Sequence, residues 1–223
     1  MNTTKMENDL ITKILDLPQA PKLAEELNNR LAEEQKRRQL FYEEITEQVK
    51  AEFINGEIII HSPVKNIHTV TTGNLYKIID TYVVENDLGF VGFEKVLIQL
   101  TRNDYEPDIC FFKEEQSKDF PDDLMFYPTP DFIIEVLSKS TETRDRGVKF
   151  EDYQNHGIQE YWIVDPATKT IEQYLLNDST NYQLNLKART GLIHCQAVAN
   201  LSIPIEIIFD RKKTHHFLKT ITS

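Results

Sequence analysis

A carboxylate stands inside an otherwise apolar run: Asp131–Leu137 reads DFIIEVL, with Glu135 between Ile134 and Val136. A nearly continuous apolar run of this length is what a central strand covered on both faces requires. Burying a lone carboxylate in such a strand is costly even after relaxation. Glu135 therefore has to be paired, protonated or bound to a cation. The alternative is a strand-end position from which it reaches solvent or an arginine such as Arg144 or Arg146. Any fold for this chain must place that strand centrally and give its acid a partner.

A second acid occupies a comparable place. Glu106-Pro107-Asp108 introduces the apolar ICFF, and proline is tolerated at the first position of a strand, so Asp108 is presented at a strand mouth. If the two strands are neighbours, Asp108 and Glu135 converge at one end of the sheet. Two carboxylates that close repel unless a cation lies between them, and oxygen-only ligands suit Mg²⁺ or Mn²⁺ better than Zn²⁺. In RDRGVKFEDY, the residues Asp145, Lys149 and Tyr153 are spaced four apart and share a helix face. That pattern reads either as a surface Asp–Lys pair with a tyrosine stem or as a face that sends Lys149 towards a scissile phosphate. An ammonium there would stabilise developing charge or orient a water. No nucleophilic serine or cysteine is implied.

Around these residues the chain divides into two parts. Residues 1 to about 45 are rich in Glu, Lys, Arg, Leu and Ala, and Leu23, Leu27, Leu31, Leu40 and Phe41 give a partial helical stripe. The spacing predicts one or two appended helices, packed on the domain edge or on a partner chain. Asn55-Gly56 between apolar flanks predicts a hairpin. Apolar positions from Val70 to Val83 predict a core-facing helix ending near Asn86. Strands are expected over Phe90–Leu100, Pro107–Phe112, Asp131–Leu137 and Tyr161–Val164, with a loop and helix over Ser138–His156. The tail from about Thr170 (IEQYLL, YQLNLKA, LIHCQAV, IPIEIIF) reads as short alternating strands extending the sheet antiparallel.

With 223 residues the chain is long enough for a substantial core. No apolar run approaches the roughly 20 residues of a membrane span, the first residues contain no apolar signal core, and Cys110 and Cys195 lie in no CxxC pair. The expectation is a cytoplasmic protein with reduced thiols. A net charge of −11 argues against coating nucleic acid through a broad basic surface, while leaving room for a local basic rim.

The sequence closely resembles the Uma family of restriction-endonuclease-like proteins, a PD-(D/E)XK branch. The matching residues are Asn55-Gly56-Glu57, His68, Pro107-Asp108, Pro130-Asp131, Glu135-Val136-Leu137-Ser138, Ser140-Thr141 and Arg144-Asp145-Arg146. Lys149, Tyr153, Gly157, Glu160-Tyr161-Trp162 and Asp165-Pro166 continue the match, over roughly residues 45 to 210. The resemblance implies an α/β restriction-endonuclease-like core (helix-strand-strand-strand-helix-strand, mixed sheet) over 46–223, beyond a helical extension over 1–45. It implies a metal set of Asp108, Glu135 and Val136, with Mg²⁺ or Mn²⁺ as cofactor, and Asp108, Glu135 and Lys149 as catalytic residues. Glu57, His68, Asp145 and Tyr153 are candidate substrate or supporting residues, and Glu94 and Gln99 are candidates to border the site. DNA is the expected substrate and a homodimer the expected assembly.

Two positions depart from the pattern. Leu137 stands where the motif carries lysine, which makes Lys149 the replacement, and Glu106 stands where many relatives have arginine. Three functions remain open on the sequence: a metal-dependent endonuclease, a catalytically impaired nuclease-fold protein acting as a DNA- or protein-binding or regulatory module, and a metal-assisted hydrolase of a small phosphorylated substrate.

Overall fold

The computed structural model describes residues 3–46, 48–178 and 181–221. Two helices lead, α1 (Thr3–Leu15) and α2 (Ala20–Glu44), followed by a hairpin of β1 (Ala51–Ile54) and β2 (Glu57–Ile60). Asn55 and Gly56 both take positive φ, 51° and 84°, the conformation a tight two-residue hairpin turn demands. Helix α3 (Asn66–Glu85) comes next. Then come β3 (Gly89–Phe93), β4 (Leu97–Gln99), β5 (Asp104–Tyr105), β6 (Ile109–Lys113), a short α4 (Glu114–Ser117), β7 (Phe126–Tyr127) and β8 (Phe132–Val136). The chain continues through α5 (Glu142–Asp145), α6 (Val148–Asn155), β9 (Glu160–Asp165), β10 (Thr170–Leu176) and β11 (Tyr182–Ala188). It closes with β12 (Leu192–His194), β13 (Ser202–Pro204), α7 (Ile205–Ile208) and α8 (Arg211–Ile221).

The main sheet has the order β11-β10-β9-β8-β6-β3, with β8 and β9 parallel and the other pairs antiparallel. Side-chain alternation splits its residues between two cores. Ile109, Phe111, Phe132, Ile134, Val136, Trp162 and Val164 face one core, completed by Leu75, Ile78, Ile79 and Val83 of α3 and by α7. Cys110, Phe112, Ile133, Leu137, Tyr161 and Ile163 face the other, with Tyr153 of α6 and with Ile54, Ile98 and Tyr105 from the second sheet. That second sheet, β2-β1-β5-β4-β7, covers this side of the main sheet. Glu135 belongs, by alternation, to the face that α6 and the second sheet enclose.

Several expectations need correction. The run 90–100 is not one strand: it breaks between β3 and β4, where Glu94 turns to φ +64°. Only β10 and β11 extend the main sheet; β12 and β13 pair separately. The segment IEII forms α7 rather than a strand, and α8 follows where no element was expected. Ile205, Ile207 and Ile208 are all buried, a set one helical turn satisfies as readily as a strand pattern does. The leucines of α2 are exposed, and its buried residues are Glu34, Arg38 and Phe41. Arg38 explains this: its guanidinium grips Asp104 at 2.6 and 2.7 Å and the carbonyls of Leu100 and Thr101 at 2.7 and 2.8 Å, fastening the end of α2 to the second sheet. Among the described residues, no helix is long and apolar enough to cross a membrane.

Candidate active site

Strands β6 and β8 pair antiparallel with Ile109 opposite Ile134. One step further along the same register, Asp108 stands opposite Glu135. Directly opposed residues of an antiparallel pair point to the same side of the sheet, and both acids line one cavity of about 370 Å³. Lys50, His61, His68, Glu94, Glu106, Val136 and Lys149 line it too. The sequence expectation that the two acids converge is what the strand register produces.

Each acid is held by its own cations. Asp108 Oδ2 accepts the amide of Val136 at 2.8 Å and lies 3.2 Å from His68 Nε2, and Oδ1 lies 3.5 Å from Lys50 Nζ. Burial pushes the Asp108 carboxyl up, but the His68 hydrogen bond and the Lys50 charge outweigh it and hold the group down to about 2. Glu135 Oε1 accepts Lys149 Nζ at 2.8 Å and the Tyr153 hydroxyl at 2.9 Å. Burial dominates here: with Asp145, Asp108 and Glu52 adding like charge, Glu135 is pushed up to about 8 even beside Lys149. Arg146, an alternative partner suggested by the sequence, instead binds Glu172 and Glu142.

The expected face of Asp145, Lys149 and Tyr153 exists, although the backbone is interrupted between α5 and α6. All three are buried. Lys149 Nζ, 2.8 Å from Glu135, is 3.7 Å from Asp145 Oδ1 and 2.7 Å from Glu52 Oε1. Burial lowers the ammonium's affinity for its proton, but the surrounding carboxylates outweigh burial and raise it well above the usual lysine value.

Glu52 was not found by reading the sequence. It is fully buried on β1, where the whole strand AEFI is buried, and His61 Nε2 lies 3.1 Å from its other oxygen. The signal that marked Glu135, an acid flanked by apolar residues, was present here in shorter form. Glu57 falls away: it is exposed on β2 and does not line the cavity. Its turn-flanking place puts it at the hairpin end rather than over the site. His68, in the first turn of α3, and Glu94, at the break after β3, both reach the cavity, whereas Gln99 does not line it.

Buried acids are not all alike in this fold. Glu160 on β9 is satisfied by the Trp162 indole at 2.6 Å, the Gln173 amide at 2.6 Å and the backbone amides of Gln196 and Ala197 at 2.7 and 2.8 Å. It ties strands together. The acids around Lys50 and Lys149 are different. Glu106 Oε2 and both oxygens of Asp145 are buried without a hydrogen bond of good geometry, and burial pushes Glu106 up to about 7. Five carboxylates, Glu52, Glu106, Asp108, Glu135 and Asp145, thus gather around the ammoniums of Lys50 and Lys149 and two histidines.

Hard oxygen donors gathered in this way suit a hard divalent cation. Among the described residues no three of His, Cys, Asp and Glu form a ready-made cage. Mg²⁺ does not need one, since it is commonly held by one or two carboxylates with waters and substrate phosphates. Both hydrogen bonds of Glu135 fall on Oε1, so Oε2 makes none among the described residues. Leu137, at the position of the motif lysine, is buried in the apolar cluster, and Lys149 supplies the ammonium beside Glu135.

Comparison with known proteins matches the chain to a family. The Uma2 family model, described as "Putative restriction endonuclease", matches residues 32–206. The chain is 26% identical over 166 residues to "Uncharacterized protein slr1290" of Synechocystis sp. (strain ATCC 27184 / PCC 6803 / Kazusa), covering 72% of this chain and 83% of that one. It is 30% identical over 128 residues to "Uncharacterized protein sll1609" of the same organism, covering 56% and 71%. The fold matches the crystal structure described as "a putative nuclease belonging to DUF820 from Anabaena variabilis ATCC 29413", with a TM-score of 0.65 and 18% identity over 78% of this chain and 96% of that one.

Proposed function

The chain belongs to the Uma2 family, and from its cavity we propose that it is a metal-dependent endonuclease hydrolysing phosphodiester bonds of DNA. One observation carries this reading: Asp108 and Glu135, on adjoining strands, open on the same cavity with the Lys149 ammonium 2.8 Å from Glu135. Asp108 and Glu135 would hold Mg²⁺ or Mn²⁺, with Val136 beside them. Bound there, the cation would supply Lewis-acid polarisation of a phosphoryl oxygen and activation of a water.

The chain's own residues do the rest. Lys149 faces the cavity from α6 and stabilises negative charge developing on the phosphoryl group. Tyr153 fixes the Glu135 carboxylate through its hydroxyl, and His68 fixes Asp108. Lys50 and Lys95 line the cavity of this acidic protein, and they are the cations a phosphodiester backbone would meet on approach.

A specific feature favours a second reading, a nuclease-fold binding module without activity. Both acids are already engaged by protein cations and by the Val136 amide. Calorimetry with Mg²⁺ and Mn²⁺, and plasmid incubation with and without metal, separates the two. The nuclease reading expects binding that Asp108→Ala abolishes, and metal-dependent cutting that Glu135→Ala removes. Absence of metal binding, or equal residual cutting by wild type and Glu135→Ala, overturns it.

A further inference from the structure

Helix α2 carries one continuous face through Leu23, Leu27, Leu31, Glu34, Arg38 and Phe41, spaced by four or three residues throughout. Its second half is covered: Glu34, Arg38 and Phe41 are 8%, 6% and 2% exposed. Its first half is not. Leu23, Leu27 and Leu31 are 42%, 56% and 41% exposed, and every residue from 21 to 33 is exposed. The face that fastens the helix to the second sheet therefore runs on past the body of the protein as a leucine stripe. Roughly 20 Å of helix projects. A helical segment of that length is marginal by itself in water, and its stability ordinarily comes from packing an apolar face.

We infer that this stripe packs against the same stripe of a second copy of the chain, antiparallel and centred on Leu27. A two-fold axis there sets Leu27 against Leu27 of the second copy and Leu23 against Leu31 of the second copy, a self-complementary contact. Charge selects the same occupant. Along the projecting part, residues 21–33, the helix carries two bases (Lys22, Arg30) and three acids (Glu25, Glu26, Glu33), a net charge of only −1 on a chain of net charge −11. Two copies can therefore approach here without the repulsion their remaining surface exerts.

Charge also selects the orientation. Glu26 and Arg30 flank the stripe on one side, paired to each other at 2.7 Å and solvent-exposed. Antiparallel packing about Leu27 keeps these flanks on the same side of the seam and brings Arg30 to within about two residues' rise of Glu26 of the second copy, whereas parallel two-fold packing puts the two flanks on opposite sides of the seam and forfeits that pairing. The inference concerns assembly and stands independently of the cavity's chemistry.

Sedimentation velocity on the full chain tests it. Wild type is expected to be a dimer. Leu27→Glu is expected to be a folded monomer, with an unfolding midpoint that no longer depends on protein concentration as that of the dimer does. Glu26→Arg weakens the dimer, and Glu26→Arg combined with Arg30→Glu restores it. Leu27→Cys, oxidised, gives a covalent dimer, while Leu40→Cys, off the stripe, gives none. A wild-type monomer throughout its soluble range, a Leu27→Glu dimer, or no cross-link at position 27 overturns the inference. So does a double charge exchange that remains as weak as Glu26→Arg.

Discussion

Glu52 Oε1 lies 2.7 Å from Lys149 Nζ, although the first belongs to β1 of the second sheet and the second to α6 over the main sheet. Both side chains are essentially inaccessible, at 0% and 1%. The ammonium of the candidate site is thus held from both sheets at once, by Glu52 on one side and Glu135 on the other.

Removing that ammonium leaves buried acids uncompensated. Lys149→Met is expected to destabilise the fold by about 3–5 kcal/mol, the usual cost of breaking a buried ion pair from one side. Urea denaturation with an unchanged m-value measures it. A loss below about 1 kcal/mol would mean that the carboxylates take up protons at little cost.

Replacing Glu52 by Gln keeps its shape and removes one of the charges fixing Lys149. On the nuclease reading, kcat falls on the order of a hundredfold, as for a small misplacement of a catalytic group, while Mg²⁺ affinity measured by calorimetry is largely retained. Unchanged kcat would remove Glu52 from the positioning of Lys149, and lost metal binding would instead place it among the ligands.

On the neighbouring strand of the second sheet, Arg38→Ala deletes the bidentate contact to Asp104 and two carbonyl contacts. The expected cost is again about 3–5 kcal/mol. Hydrogen exchange should quicken in α2 more than in α3, since the lost contacts are those that fasten α2.

Glu106 gives the pH dependence its sign. Burial pushes it up to about 7 in the fold, against 4.5 for the ordinary group. Between these values the folded state binds more protons than the unfolded state. Its contribution is therefore complete below about 4.5 and is lost as the pH rises through about 7. Glu106→Gln should flatten that decline in denaturation midpoints recorded across the interval. An unchanged slope would assign the decline to another group.

The chain's local chemistry determined much of this. An acid inside DFIIEVL had to lie on a covered strand with a partner, Asn-Gly had to turn a hairpin, and residues four apart had to share a helix face. Those inferences depend on backbone periodicity and desolvation, which a short window of sequence contains. Tertiary structure decided the rest. The register of β6 on β8 put Asp108 opposite Glu135, the second sheet brought Glu52 to Lys149, and the edge of the body left the leucines of α2 exposed while Arg38 was buried. Alternation says which face a side chain takes but not what closes over that face. The closing partners come from segments distant in the chain, and they decided that AEFI is a buried strand bearing Glu52 while Glu57, beyond the turn, faces solvent.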